Sequence, residues 1–130
     1  MKSIVYWHPL IYSLFIRLSN WKNNEERYKI ISNLLDDNSS IVDVCCGDCK
    51  IFNYLKDRKI EYLGLDFNSN FINFAKNRGI NIKMTNVANG EIPRADYILM
   101  QGSLYQFIPK HNEIIKKMQS LKVIFCLKMI

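Results

Sequence analysis

The residues of this chain best suited to chemistry stand in the loop Cys45-Cys46-Gly47-Asp48-Cys49, which directly follows the short strand-like run Ile41–Val44. Small residues in such a loop let backbone amide groups approach a ligand closely. Asp66 comes 19 residues after Gly47, at the end of a second strand-like run. A carboxylate at that place can accept hydrogen bonds from both ribose hydroxyls of a nucleoside. The loop and Asp66 together therefore predict a nucleoside-binding site.

The elements that must position this site alternate along the chain. The sequence predicts strands over Ile41–Val44, Ile60–Asp66, Ile80–Met84, Asp96–Met100 and Val123–Leu127, and helices that start near Asn24, near Ile51, at Ser69 and near Asn112. Strands and helices in this rhythm predict an α/β fold: a parallel sheet of about five strands with helices on both faces. In such folds ligands lie outside the carboxyl ends of the strands, near the first strand-to-helix turn.

Apolar spacing predicts which faces of two helices point inward. Tyr28, Ile31 and Leu35 form one stripe on the helix that starts near Asn24. The inward residues of the helix from Ser69 to Arg78 are predicted to be Phe71, Phe74 and Ala75, and Gly79 is a natural stop for this helix.

The first 23 residues are predicted to form a cap helix on a single domain whose α/β core spans 24–130. Pro9 suits the first turn of a helix that runs to about Ser19, and apolar side chains cover most of its circumference. The apolar stretch 4–18 is too short to span a bilayer and lacks a small-residue cleavage site. Packing over the core is the expected role.

Composition limits the class of protein. With 130 residues, 48% of them hydrophobic and 23% charged, the chain fits one folded domain. The 18 basic and 12 acidic side chains are scattered, which favours a solvated surface over a nucleic-acid interface. Three of the four cysteines crowd one loop, which does not make a secreted disulfide framework. A reducing cytoplasm is the expected location.

At the loop the sequence resembles the class I methyltransferases that depend on S-adenosylmethionine (SAM). Their first motif has an acidic residue and then Gly-x-Gly-x-Gly. Here Asp43 takes the acidic place, and Cys45, Gly47 and Cys49 take the glycine positions. Cysteine is tolerable at position 45 if its φ is negative, whereas Cys49 would crowd the following helix against the strand.

Three further stretches extend the resemblance over roughly residues 24–127. Tyr62–Lys76 resembles the family's second strand and the helix after it. Asn86-Val87 falls where the family often has an acidic residue facing the adenine. Ala95–Gly102 resembles the fourth strand and the start of the active-site loop.

The resemblance implies a cofactor, SAM, and a set of residues that bind it. Backbone groups of residues 45–49 would meet the methionine moiety, with Asp43 ordering the loop. Asp66 would bind the ribose and Phe67 would pack on the adenine, with Asn86-Val87 at its edge. The full predicted cofactor site is Asp43, Cys45, Cys46, Gly47, Asp48, Cys49, Asp66, Phe67, Asn86, Val87 and Gln101.

The same resemblance implies the reaction but not its acceptor. Tyr12 and Tyr105 are expected on the substrate side, and the expected acceptor is a small molecule. No catalytic residue and no metal ligand is assigned. Domains of this family carry two more strands after the fifth, which this chain is expected to lack. Val123–Leu127 would then lie near an uncovered sheet edge, which favours self-association.

Other interpretations of the cysteine loop stay open. The segment Cys46-Gly-Asp-Cys49 follows a strand, opens a helix and resembles the active-site motif of thioredoxin. A non-catalytic fragment that only packs against a partner is a second alternative. A nicotinamide fingerprint fits less well, because its last glycine would be Lys50. A zinc site would need four tetrahedral ligands, usually from paired motifs.

Overall fold

The computed structural model describes residues 25–101, 103–118 and 122–126. The predicted cap helix within residues 1–23, and Tyr12 with it, lies outside this part of the chain. Among the described residues, no helix combines the length and the apolar character needed to cross a membrane.

Helix α1 occupies residues 25–34 of the described chain. It is followed by β1 (Ser39–Val44), α2 (Phe52–Leu55), β2 (Ile60–Asp66), α3 (Ser69–Asn77), β3 (Ile82–Met84), β4 (Tyr97–Gln101), a 3-10 turn (Leu104–Phe107), α4 (His111–Lys117) and β5 (Lys122–Cys126). The five strands form a sheet in the order β3-β2-β1-β4-β5, and each neighbouring pair is parallel. The predicted α/β class and its parallel sheet are confirmed.

The strand order places a topological switch point beside β1. The chain moves outward from β1 through β2 to β3, and then crosses back to lay β4 on the other side of β1. Val44, at the end of β1, is in register with Leu65 on one neighbour and Met100 on the other. Because all three strands are parallel, the loops that follow them emerge at one edge. Such a crevice is where open α/β sheets bind ligands.

Helices cover both faces of the sheet, as predicted. The side chains of β1 alternate between two buried clusters, with Ile41 in the first and Val42 in the second. The first cluster also contains residues of α1, α2 and α3: Ile31, Leu55 and Ile72 are each 3% exposed or less. The second contains Ile114 of α4 and Met118. Full burial of one such apolar side chain contributes about 1.5–3 kcal/mol.

The predicted apolar stripe of α1 is confirmed, because Tyr28, Ile31 and Leu35 are all buried. The stripe of α3 is confirmed only in part. Phe71 and Ala75 are buried, but Phe74 is half-buried and Ile72 is buried instead. The Phe74 ring lies toward the helix border, where the Arg78 guanidinium sits 5.2 Å from its centre.

Two strands begin later than predicted, because local hydrogen bonds use their first residues. Ile80 donates its N–H to the Ala75 carbonyl (3.0 Å), which completes a Schellman turn around Gly79 (φ +71°), and β3 starts at Ile82. Asp96 donates its N–H to the Ser40 hydroxyl (3.0 Å), and β4 starts one residue later.

Candidate functional site

The loop after β1 has an unusual backbone. Three alternating residues, Cys45, Gly47 and Cys49, each have φ +56°. This left-handed region suits glycine, whereas a side chain with a Cβ costs roughly 1–2 kcal/mol there. The condition under which a cysteine would be tolerable at position 45, a negative φ, is therefore not met. The three glycine positions of the methyltransferase motif are the three left-handed positions of this loop, and two of them carry cysteine.

Two hydrogen bonds pin the loop to the end of β2. Cys46 donates its N–H to the Leu65 carbonyl (3.0 Å), and Gly47 donates its N–H to Asp66 Oδ2 (2.9 Å). The other carboxylate oxygen of Asp66 accepts the N–H of Asn68 (2.9 Å). The loop and Asp66 thus form one structural unit at the carboxyl ends of β1 and β2.

Asp66 is buried but keeps hydrogen-bonding capacity. Burial raises the pKa of its carboxyl, and the backbone N–H groups of Asn68, Gly47 and Phe67 partly oppose this shift. An ionised carboxylate offers about four acceptor positions. The N–H groups of Gly47, Asn68 and Phe67 occupy three of these positions, so the group has room for about one more donor.

Asp43 lies beneath the loop and bonds to β2. Its Oδ2 accepts the hydroxyl proton of Tyr62 at 2.7 Å, whereas the loop amides described above bond to Leu65 and Asp66. Burial raises the pKa of Asp43 to about 7, and the Tyr62 hydrogen bond acts in the opposite direction. The negative charges of Asp48 and Asp66 add to the increase.

Gly64 makes room for this buried cluster. It is in register with Asp43 on the neighbouring strand. A Cβ at Gly64 would lie 2.9 Å from Cys46 Sγ and 3.3 Å from the Tyr62 hydroxyl. The sequence analysis did not single out Gly64 or Tyr62, because only the strand register reveals that they meet Asp43 and Cys46.

The loop also approaches α1 through Asp48. Burial raises the pKa of Tyr28 to about 12, and the negative charge of Asp48 is the next largest cause. Asp48 itself is half-buried. Tyr28 was predicted only as a core residue, and its proximity to the loop is a finding of the structure.

The side chains of Phe67 and Asn86 are exposed at the edge of the sheet where Asp66 lies, whereas the side chain of Val87 is buried. Phe67 directly follows Asp66 and is 44% exposed. Asn86 is exposed, and its side-chain oxygen accepts the Ala88 N–H (3.1 Å). Val87 is 2% exposed and packs in the second buried cluster. The side chain of Val87 therefore does not face a ligand at this edge.

Lys117 supports this loop from α4, a role that the sequence analysis missed. Its Nζ donates to the carbonyl oxygens of Val87 and Ala88, both at 2.9 Å, and to that of Gly90 at 3.4 Å. Near the end of a helix, a lysine is ordinarily read as a solvated charge. No pattern in the sequence distinguishes Lys117 from Lys116 beside it.

Gln101 ends β4 beside the loop. Its Oε1 is buried and has no hydrogen-bond partner within the described part of the chain. A buried acceptor without a donor is costly, so its position suits a ligand that brings one. The backbone of Tyr105 lies in the following 3-10 turn, and its side chain is outside the described structure.

The described residues form a groove at the opposite edge of the sheet but no metal-binding cluster. Among the described residues, no group of three or more His, Cys, Asp or Glu side chains is arranged to hold a metal ion. A groove of about 530 Å³ lies at the opposite edge of the sheet, lined in part by Ser40, Arg58 and Asp96. Its polar groups serve the fold, because Asp96 accepts the Ser40 N–H (2.9 Å) and Arg58 pairs with Asp37 (2.8 Å).

The fold is shared with solved methyltransferases. A SAM-dependent methyltransferase from Archaeoglobus fulgidus superposes with a TM-score of 0.68 at 17% identity, over 86% of this chain and 53% of that one. A TehB-like SAM-dependent methyltransferase from Corynebacterium glutamicum gives 0.58 at 20% identity, over 75% and 59%. One from Geobacter sulfurreducens, solved with S-adenosyl-L-homocysteine, gives 0.61 at 13% identity, over 77% and 47%. The chain spans about half the length of these proteins.

These similarities define the class: the chain has the fold of the class I SAM-dependent methyltransferases. The family is more specific. Residues 25–124 match the profile of the methionine biosynthesis protein MetW, and the chain belongs to that family. A comparison with curated proteins found no match.

Proposed function

We propose that this chain binds SAM across the carboxyl ends of β1 and β2, and transfers the methyl group of SAM to a small-molecule acceptor. The observation that carries the proposal is the unit formed by Asp66 and the left-handed loop. Gly47 and Asn68 donate to different oxygens of the Asp66 carboxylate, and the Phe67 N–H adds a third bond, so about one acceptor position is left at the sheet edge. A ribose hydroxyl matches that capacity.

The remaining predicted residues fit the rest of the cofactor. The half-exposed ring of Phe67 offers an apolar surface for the adenine, and the exposed amide of Asn86 lies on the same edge. The buried Gln101 oxygen suits the ammonium of the methionine moiety, which would supply the donor that this oxygen lacks within the described structure. The backbone of residues 45–49 would lie against the methionine moiety.

The chain's task in the reaction is alignment. The sulfonium of bound SAM makes its methyl group electrophilic. Residues on the β4 side then need to hold the acceptor in line with the carbon–sulfur bond, and such positioning can supply about 7–11 kcal/mol. A nucleophilic acceptor needs no dedicated base, so no described residue is assigned as one.

The thioredoxin-like alternative is not favoured. The three solved structures described above are SAM-dependent methyltransferases, and the hydrogen bond to Cys49, together with burial, raises the pKa of Cys46 well above its ordinary value. A cysteine that catalyses thiol exchange needs a lowered pKa.

Calorimetry with SAM and with S-adenosylhomocysteine tests cofactor binding. Asp66→Asn keeps the size of the side chain but removes its charge and one of the two oxygens that accept backbone N–H groups. We expect saturable binding by the wild type and at least a tenfold loss in this variant. Asp96→Asn is the matched control, because Asp96 also accepts a backbone N–H but lies at the opposite edge. Equal affinities of the two variants would contradict the assignment of Asp66.

Methyl-labelled SAM tests the acceptor class. The protein is incubated with labelled SAM and a cell extract, and the products are separated by molecular mass. Label in the small-molecule fraction, absent with Asp66→Asn, supports the proposal. Label in protein or nucleic acid instead would overturn the small-molecule acceptor.

A further inference from the structure

The side chains of two cysteines in the loop are in direct contact. The sulfur atoms of Cys46 and Cys49 are 3.2 Å apart and form a thiol–thiol hydrogen bond. A backbone bond between the same residues, from the Cys49 N–H to the Cys46 carbonyl (2.9 Å), closes the turn that brings them together. A disulfide bond is about 2.0 Å long, so the two sulfur atoms need to approach by roughly 1 Å to be joined.

The structure around the pair holds it in this position. Cys46 is tied to β2 through its N–H and the Leu65 carbonyl, and its sulfur lies against Gly64, which has no Cβ to displace it. Cys49 is 1% exposed, and its sulfur is 3.8 Å from the Gly47 carbonyl. The third cysteine of the loop, Cys45, is not part of this hydrogen bond.

The two sulfur atoms differ in access. Cys46 is half-buried, whereas Cys49 is buried in the first core cluster. An oxidant from solution therefore reaches Cys46 first, and Cys49 is placed to complete the reaction from inside.

We propose that Cys46 and Cys49 are a redox modification site, in which a low-molecular-weight disulfide converts the two thiols into an intramolecular disulfide. The second half of the proposal is that this conversion weakens SAM binding. The second half of the proposal depends on the proposed function above, because the affected ligand is SAM. The first half concerns only the chemistry of the loop.

The reaction balances as two thiol–disulfide exchanges. The Cys46 thiolate attacks one sulfur of the small disulfide, forming a mixed disulfide and releasing one thiolate. The Cys49 thiolate then attacks Cys46 Sγ and releases the second small thiol. The cysteine pair loses two electrons and two protons, and the small disulfide is reduced to two thiols.

The surroundings make the exchange slow at neutral pH. The hydrogen bond to Cys49 and burial raise the pKa of Cys46, and the charges of Asp43 and Asp66 add to this. Because the thiolate is the attacking species, we expect the exchange to accelerate as pH rises. This slow response suits a switch that follows sustained oxidation and not a thiol catalyst.

The effect on SAM follows from where the loop lies. Residues 46–49 belong to the loop proposed to lie against the methionine moiety, and Gly47 donates its N–H to Asp66. We expect the disulfide to displace this segment, because the two sulfur atoms must approach by roughly 1 Å. A misplacement of about 1 Å in a reaction geometry can cost about 100-fold in rate. We expect the disulfide form to bind SAM at least tenfold more weakly.

The wild-type protein tests the modification directly. It is equilibrated with mixtures of reduced and oxidised glutathione, quenched by alkylation, and mapped by peptide mass spectrometry. We expect a disulfide that joins Cys46 to Cys49, and the same disulfide in the control Cys45→Ser. In Cys49→Ser we expect glutathione to stay attached to Cys46. The modification site is overturned if both cysteines alkylate fully at the most oxidising ratio, or if the disulfide joins Cys45 instead.

Calorimetry of the reduced and oxidised protein then tests the consequence. A tenfold loss of SAM affinity on oxidation, reversed by a reductant, supports the redox control of binding. Equal affinity in the two forms overturns it. Failure of the reduced protein to bind SAM would contradict the proposed function, while the mass map would still decide whether the disulfide forms.

Discussion

The buried carboxyl of Asp43 predicts how the stability of this protein depends on pH. Burial raises its pKa from 3.8 to about 7 in the folded protein. The folded state therefore holds the Asp43 proton more tightly than the unfolded state does. The stabilisation from this proton is fully present below about pH 4, decreases as pH rises, and is lost above about pH 7.

The size of the effect follows from the shift. One pKa unit corresponds to about 1.4 kcal/mol, so a gap of three units lowers the free energy of unfolding by about 4 kcal/mol between pH 4 and pH 8. Asp43→Asn removes the titration but keeps an oxygen that can accept the Tyr62 hydroxyl. We expect the free energy of unfolding of this variant, relative to wild type, to increase by about 4 kcal/mol over the same range.

Urea unfolding at several pH values between 4 and 8 measures this difference. Burial also raises the pKa of Asp66, but that residue is present in both proteins and its contribution largely cancels. Tyr62→Phe gives a second test: its hydrogen bond lowers the pKa of Asp43, so its removal should move the pH window of stability loss upward. Parallel curves for wild type and Asp43→Asn would refute the reasoning.

Three substitutions test other contacts of the site by denaturant unfolding. Cys45→Gly should raise the free energy of unfolding by roughly 1 kcal/mol, because φ is +56° there, whereas Cys45→Ala should not. Gly64→Ala should lower the free energy of unfolding by about 1–3 kcal/mol, because the new Cβ would lie 2.9 Å from Cys46 Sγ. Adding Cys46→Ala should restore part of this loss, and strictly additive effects of the two substitutions would contradict the contact. Lys117→Met should lower the free energy of unfolding by about 1–2 kcal/mol and speed amide exchange in the loop 86–90, whereas unchanged exchange would contradict the role of Lys117.

The fold was predictable because its signal is periodic. Alternating strands and helices gave the parallel sheet, and the spacing of Gly47 and Asp66 identified two residues that share a hydrogen bond. Boundaries were less predictable. Ile80 and Asp96 look like strand residues, but a helix-ending turn and a serine hydroxyl use their N–H groups.

The buried cluster beneath the loop was not predictable from the sequence. Asp43, Tyr62 and Gly64 meet only because two strands pair in one particular register, which no local pattern specifies. The left-handed backbone at Cys45 and Cys49 was hidden for a different reason. Glycine usually signals such positions, and cysteine stands in its place.

The central claim is that SAM lies at the carboxyl ends of β1 and β2. Amide chemical shifts of the isotope-labelled protein, recorded while S-adenosylhomocysteine is added, test this residue by residue. The account predicts saturable shifts at Cys46, Gly47, Asp66 and Phe67, and none at Ser40 and Lys59 on the opposite edge of the sheet. A folded protein whose loop amides do not move, or whose shifts cluster at Ser40 and Lys59, would contradict it.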